Sequence, residues 1–263
     1  MKVIRGFTRP SIAAAVVLGA SIASLTLPVG TAGAAPSLFD QPVKVVRVPL
    51  PADPENPQAK ARVSCFYFPH FMVKEIDLGE KGSEQLSLVP LAGAQDKAGC
   101  RRENSPSEKV LADWDGYFEG VKGGYVFFTA DDGWNDGMGF AIFSGADGTK
   151  LFEDVTKKGL RAIAATPSGL SLRYERVFGA SCSLADDKAG CWEKIKQDTS
   201  LAGASPPDCI AAYRREQKRV PEFAQQTLKD PTIIDYEVTV AIEGAASTIA
   251  PVSGKALRCR PAE

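Results

Sequence analysis

The middle of the chain alternates between apolar and polar positions, as β-strands with one buried and one exposed face do. Short alternating or apolar runs occupy 65–68, 71–76, 125–130, 138–144, 150–155, 160–165 and 170–178. Tripeptides such as Asp-Asp-Gly, Asn-Asp-Gly and Ala-Asp-Gly separate several of these runs, and they favour tight turns between antiparallel strands. The spacing of about 10–12 residues between runs is typical of a β-sandwich or barrel.

The C-terminal third adds two helical patterns. Ser205 suits an N-cap, Pro206 suits the first helical position, and Asp208 suits the carboxylate of a capping box, so a helix is predicted to start there. A second short helix is predicted over 222–228, before Asp-Pro. Further strands are expected at 43–50, 233–242 and 255–260. The sequence therefore predicts a mainly β (α+β) fold, an antiparallel sandwich or barrel-like sheet with one or two C-terminal helices.

Residues 1–34 have the pattern of a secretory signal peptide. Basic residues precede a mostly apolar stretch at 12–29, and small residues end at Ala34, where we expect cleavage. An uncleaved membrane anchor is the alternative, but Ser and Pro residues interrupt the apolar stretch. The absence of an Arg-Arg pair before the apolar stretch favours the general secretory route. We therefore expect a bacterial periplasmic or secreted protein.

The exported part, 35–263, is predicted to form either one domain or two subdomains divided near 180–205. The whole chain has 31 Lys and Arg against 32 Asp and Glu. This near-neutral charge argues against a general nucleic-acid-binding protein, which would be strongly basic. No later apolar run is long enough to cross a bilayer, so the cleaved protein is expected not to span a membrane.

Six cysteines follow the predicted cleavage site: Cys65, Cys100, Cys182, Cys191, Cys209 and Cys259. An even number in an oxidising compartment predicts three disulfides. The segment between Cys182 and Cys191 is rich in turn formers, which pairs these two. Cys65 with Cys100 then encloses an N-terminal unit, and Cys209 is left with Cys259. A zinc site would need Cys-x-x-Cys spacing or a nearby His pair, and the chain has neither.

The pentapeptide Asp-Lys-Ala-Gly-Cys occurs twice, at 96–100 and 187–191. Each copy places a cysteine just after a glycine. The flanking residues do not match, so we interpret the repeat as a turn used twice before a disulfide and not as an internal duplication.

Aromatic and acidic residues concentrate at 113–143, which holds nine of the 22 aromatic residues. Aromatic rings can stack on sugar rings while carboxylates accept hydroxyl protons, so a hairpin tip in this region is a candidate glycan-binding site. The alternative is that the aromatics fill a β core and the Asp-Gly pairs only make turns. Trp134 lies within a turn-rich segment and is therefore expected to be exposed. The candidate ligand-binding residues are Asp131, Asp132, Trp134, Asn135 and Asp136.

The same acids raise the question of a calcium site. An EF-hand loop fails because Trp134 and Phe143 occupy ligand positions. An irregular site formed by Asp131, Asp132, Asn135 and Asp136 stays open. The sequence itself predicts no metal and no cofactor.

No catalytic residue can be singled out. The single histidine, His70, has no nucleophile motif beside it, and we expect a partly buried structural side chain. Glycoside hydrolysis by paired carboxylates needs no histidine and could use Asp113, Asp115 or Glu119. A further basic cluster on the predicted helix is expected to be a solvated face, with an anionic partner as the alternative. Its members are Arg214, Arg215, Lys218 and Arg219.

The segments 114–123 and 230–238 resemble uncharacterised exported proteins of Gram-negative bacteria, and this resemblance implies no activity. The sequence thus predicts an exported, disulfide-stabilised, non-enzymatic binding or scaffold protein. A cell-envelope glycan or another protein is the candidate partner. The alternative is a carbohydrate-acting hydrolase that uses carboxylates around 113–136.

Overall fold

The computed structural model describes residues 37–51, 54–92 and 99–262. The predicted signal peptide, 1–34, lies outside them. Residues Ser37–Glu263 group into one compact unit. Its strands are β1 (Lys44–Pro49), β2 (Arg62–Tyr67), β3 (Phe71–Asp77), β4 (Gln85–Pro90), β5 (Lys109–Val110), β6 (Gly116–Lys122), β7 (Tyr125–Trp134), β8 (Gly137–Ser144), β9 (Lys150–Thr166), β10 (Gly169–Gly179), β11 (Thr232–Glu243), β12 (Ala246–Pro251) and β13 (Arg258–Pro261). Its helices are α1 (Lys188–Asp198), α2 (Ile210–Arg219) and α3 (Ala224–Thr227), the last preceded by the 3₁₀ turn Pro221–Phe223.

The strands form two antiparallel sheets in a sandwich-like arrangement, which confirms the predicted fold class. The smaller sheet has the order β1-β2-β3-β4-β5, and the larger has the order β12-β11-β10-β9-β8-β7-β6. Strand β13 pairs with the start of β11, whose other end pairs with β12. Consecutive strands are neighbours almost throughout, as expected for a chain of hairpins joined by tight turns.

The two sheets meet over only part of the larger one. Apolar side chains of β3 and β4 pack against β6, β7 and β8, with Phe128 and Phe143 at the centre of the contact. On the opposite face of the larger sheet, α1 and α2 cover β10 and β11 through the buried Trp192, Ile195 and Tyr213. The smaller sheet packs on one face of β6, β7 and β8 but does not extend over the same face of β9, β10 and β11. Polar side chains therefore lie on that uncovered face.

The three disulfides are the predicted pairs. Cys65–Cys100, Cys182–Cys191 and Cys209–Cys259 have Cα–Cα distances of 5.8, 5.6 and 5.4 Å. The first joins β2 to the segment before β5, and the third joins the start of α2 to β13. Such bonds are typical of proteins that fold in an oxidising, extracytoplasmic compartment.

Helix positions differ from the prediction. Helix α2 begins at Ile210 and not at Ser205: the two prolines at 206–207 lie outside it and Cys209 stands at the N-cap. Helix α1 was not predicted: Asp187 caps it by accepting a hydrogen bond of 2.9 Å from the Gly190 amide. The second copy of the pentapeptide, 187–191, thus starts a helix and is not a turn. Most of the first copy lies outside the described residues.

Strand boundaries differ in one instructive place. The runs at 150–155 and 160–165 belong to a single strand, β9, which carries a bulge around 157–159 opposite β10. Gly159 has a φ of +75° there, which glycine adopts without steric cost.

Among the described residues, none of the helices has the length and hydropathy of a membrane span.

Candidate functional site

The predicted ligand-binding residues lie at the tip of the hairpin formed by β7 and β8. Trp134 pairs with Gly137, and the two residues between them form the turn. Asn135 and Asp136 have φ values of +49° and +57°, so the turn is of type I′. This turn is shorter than the turn-rich segment around Trp134 that the sequence suggested. Asp131 and Asp132 consequently belong to β7.

Trp134 rests one part of its ring on a glycine of another strand and is otherwise exposed. Its indole lies against Gly179 of β10, where an added Cβ would come 3.0 Å from Cζ3 and 3.1 Å from Cζ2. The missing side chain lets the ring rest on the strand. Trp134 keeps 52% of its surface exposed, whereas Trp192 keeps 4%. The hairpin tip therefore presents a supported aromatic surface to solvent.

Asp131 and Asp132 connect this hairpin to the smaller sheet. The Asp132 carboxylate forms an ion pair with Lys81, in the loop between β3 and β4, and accepts a 2.8 Å hydrogen bond from the Gly133 amide. These two interactions lower the pKa of Asp132 below its usual value. The Cβ of Asp131 lies beside Gly82 of the same loop. Both acids thus contact the loop between β3 and β4, on one side of the hairpin tip.

Asn135 and Asp136 contact a residue that sequence reasoning missed. Arg260 of β13 donates a hydrogen bond to the Asn135 carbonyl, and its Nη2 lies 3.7 Å from the Asp136 carboxylate. The Asn135 side chain is buried, and that of Asp136 is exposed. Arg260 is 125 positions from Asn135 in the chain. The sequence indicated only that Arg260 belongs to a strand around Cys259, and nothing in that pattern pointed to a contact with the hairpin tip.

The five candidates thus fall into three groups around the tip. Asp131 and Asp132 face Lys81, Trp134 rests on Gly179, and Asn135 and Asp136 face Arg260. Within the described ranges, no three His, Cys, Asp or Glu side chains come together in a way that could hold a metal ion. The irregular calcium site has no support in this geometry, since Lys81 and Arg260 neutralise acids that would have to be ligands.

The acids of the hydrolase alternative lie elsewhere. Asp113 and Asp115 are exposed in the loop before β6, and Glu119 is exposed in β6 at a bulge opposite β7. No contact of these side chains with the tip residues is found in the described part of the chain.

His70 is exposed in the turn between β2 and β3, so the expectation of a partly buried side chain is wrong. It lines a groove of about 600 Å³ with Phe71 and Tyr125. The groove is bordered mainly by hairpin turns at the opposite ends of β7 and β8 from Trp134.

Comparisons of the chain with protein-family models, with curated proteins and with solved structures give no match.

Proposed function

We propose that the protein is an exported, non-catalytic binding protein that holds a cell-envelope glycan at the β7–β8 hairpin tip. The observation that carries the proposal is the half-exposed indole of Trp134, supported from beneath by Gly179. Stacking on an aromatic face is a common way to hold the C–H face of a pyranose ring. A ring already fixed against the sheet loses little side-chain entropy on binding.

The surroundings of Trp134 support a rigid platform. Lys81 holds one side of the tip through Asp132, and Arg260 holds the other through the Asn135 carbonyl. A two-residue turn leaves little backbone freedom between them. Preorganisation of this kind strengthens binding by reducing the ordering cost.

The three disulfides support an extracytoplasmic setting, in which a cell-envelope glycan would be within reach. Export by the general secretory route to the periplasm or the medium is part of the proposal. The hydrolase alternative stays a prediction, because no specific geometry of Asp113, Asp115 and Glu119 favours it.

Fluorescence quenching tests the proposal directly. Trp134 is much more exposed than Trp192, and Trp114 is half-buried, so iodide should quench mainly Trp134. We expect N-acetylglucosamine oligosaccharides, or isolated peptidoglycan sacculi, to protect the indole from iodide. Trp134→Ala should weaken binding by about tenfold or more, since a stacked aromatic contact is worth about 1 kcal/mol beyond the area that it buries.

Two variants control this experiment. Trp134→Phe keeps a smaller aromatic face and should retain part of the affinity. Phe223→Ala removes another exposed aromatic side chain, 59% exposed and remote in the fold, and should have no effect. Equal binding by wild type and Trp134→Ala would contradict the proposal.

A further inference from the structure

The open half of the larger sheet carries an unusual charge arrangement beside Trp134. We call it the basic face: Lys157, Lys158, Arg161, Arg173, Lys255, Arg258 and Arg260, above the carboxylates of Glu175, Asp235 and Glu237. The whole chain has almost equal numbers of basic and acidic residues, so this excess of cations is local.

Strand register explains why these side chains share one face. Glu175 of β10 stands opposite Glu237 of β11, and Val177 stands opposite Asp235. Asp235 in turn pairs with Arg258 of β13. Since alternate residues of a strand point to the same side, Gly179, which carries the Trp134 ring, lies on the same face as Glu175. Gly179 and Arg173 are six positions apart on β10, which is roughly 20 Å of strand.

The carboxylates are buried beneath the cations. Glu175, Glu237 and Asp235 have side chains at most 9% exposed. Arg161 bridges Glu175 and Glu237, with nitrogen–oxygen distances of 3.0 and 3.6 Å. Neutralising the three buried acids needs three of the seven cations. Asp208, which lines the larger hollow, and Asp136, beside Arg260, offset two more, so two cations and Arg215 are left to attract an anion.

The cations themselves point outward. Arg161, Arg173, Lys255 and Arg258 keep between 44% and 60% of their side chains exposed. A hollow of about 260 Å³ lies among Arg161, Lys255 and Arg258, and a second, of about 410 Å³, lies between β13 and α2 beside Arg258. The larger is also lined by Arg215 of α2. Arg214, Arg215, Lys218 and Arg219 are all exposed, as expected for a solvated helix face, and of these four Arg215 borders the hollow.

Arg260 adds a second, independent observation. It lines the larger hollow, and its Nε and Nη1 are buried without a hydrogen-bond acceptor among the described residues, although Nε lies 3.9 Å from the Asp235 carboxylate. Buried donors without acceptors are costly, and a guanidinium matches the geometry of a carboxylate. Arg260 is also the residue that contacts the Asn135 carbonyl, so the larger hollow adjoins the Trp134 tip.

We infer that the basic face binds the carboxylate groups of an acidic polysaccharide whose chain extends from Trp134 along β10. The inference rests on the proposed function in taking the ligand to be a carbohydrate and in placing one end of its chain at Trp134. A supported indole at one end and a row of cations some 20 Å long match a linear uronate-containing chain better than a compact anion.

Oligogalacturonate and its methyl ester are suitable probes, because they differ only in the charge of the carboxyl groups. Calorimetry should show binding of the acid form and at least about tenfold weaker binding of the ester, the size expected for hydrogen bonds to charged groups. Raising salt from about 0.1 M to about 1 M shortens the Debye length from about 10 Å to about 3 Å and should weaken only the acid form. Equal affinity for both forms would overturn the inference.

The variant Lys158→Gln with Lys255→Gln tests the face without exposing a buried acid. Lys255 lies 3.8 Å from Glu237, and Lys158 has no ion pair among the described residues. We expect binding of the acid form to fall by about tenfold or more. The matched control, Arg214→Gln with Lys218→Gln, removes two charges from exposed positions of α2 and should change nothing.

The two proposals fail separately. Suppose that Trp134→Ala loses binding of N-acetylglucosamine oligosaccharides while wild type shows no preference for the acid form over the ester. The proposed function would then stand, and carboxylate binding by the basic face would be overturned. An unchanged acid-over-ester preference in Trp134→Ala, with no binding of neutral glycans by wild type, would overturn the proposed function and the position of the chain end at Trp134. Carboxylate binding by the basic face would stand. Salt-sensitive binding to phosphatidylglycerol vesicles, without binding to oligogalacturonate, would overturn the carbohydrate assignment.

Discussion

Lys74 and Glu108 form a buried ion pair in the smaller sheet, and breaking it should be costly. Their side chains are each 2% exposed, and Nζ lies 2.6 Å from Oε1. Lys74 also donates a 3.0 Å hydrogen bond to the Asn104 side chain. Glu108 accepts hydrogen bonds of 2.6 Å from the Ser87 hydroxyl and 2.9 Å from the Ser105 amide. The pair thus ties the segment before β5 to β3 and β4.

Lys74→Met leaves the Glu108 carboxylate buried without its cation. Removing one partner of a buried pair costs about 3–5 kcal/mol, because the remaining charge is neither solvated nor paired. In a domain of this size about 1 kcal/mol changes the melting temperature by about 2–4 °C, so a fall of roughly 10 °C is expected. Calorimetry or urea unfolding measures it. Lys229→Met, at an exposed position, should stay within about 0.5 kcal/mol of wild type.

The double variant Lys74→Met with Glu108→Leu isolates the pair. With both charges gone no buried ion remains, so we expect a smaller loss of stability than the sum of the two single variants. A cost below about 1 kcal/mol for Lys74→Met, or strictly additive effects, would refute the reasoning.

The same pair sets a pH dependence. Burial by itself raises the pKa of Glu108, but the hydrogen bonds from Lys74, Ser87 and the Ser105 amide outweigh it and hold the pKa below its usual value. The ionised Glu108 carboxylate therefore contributes its full stabilisation above the pKa of about 4.3 that it has in the unfolded chain. This stabilisation is lost as the pH falls through the lower pKa that Glu108 has in the folded protein. Glu108→Gln should flatten this part of the acid-unfolding curve.

Three further outcomes are expected. Replacing both Cys209 and Cys259 by alanine opens a loop with a sequence separation of 50 and should cost about 4 kcal/mol in urea unfolding, whereas an unchanged midpoint would contradict the entropic estimate. Alkylation of unreduced, denatured protein should add no label by mass spectrometry, and labelled cysteines would contradict the three disulfides. Gly120→Ala should displace the Phe39 ring, whose Cδ1 lies 2.6 Å from the added Cβ, and cost about 1–3 kcal/mol, with faster amide exchange at Phe39 as the readout.

Local patterns predicted much of the fold because the strands depend on local alternation. Strand β3 and the hairpin of β9 and β10 follow from apolar periodicity and turn tripeptides. Strand β6 escaped prediction because Gly116 and Gly120 interrupt its pattern, the second at a bulge. Helix α1 escaped because only Cys191, Trp192 and Ile195 of its residues are buried, too few for a clear 3.6-residue period. The Asp187 cap was the signal available.

The site depends on contacts that no local pattern contains. A turn-rich segment around Trp134 predicted an exposed indole, but nothing nearby in the sequence indicates Gly179 as its support. Lys81 is 51 positions from Asp132, and Arg260 is 125 positions from Asn135. These partners come from another sheet and from the last strand, so they follow only from sheet order and register.

The register between β10 and β11 also bears on why the basic face exists. Glu175 and Glu237 stand directly opposite each other, and like charges at such positions destabilise a sheet. Apolar or threonine pairs would fill the same positions without needing any cation. Burying two acids together and covering them with several half-exposed arginines therefore costs stability that a purely structural sheet would not need to lose. The Glu175 and Glu237 carboxylates do, however, hold the guanidinium groups of Arg161 and Arg173 in place through ion pairs. Their outward N–H groups are thereby preorganised for an anion, which is the benefit that offsets the cost.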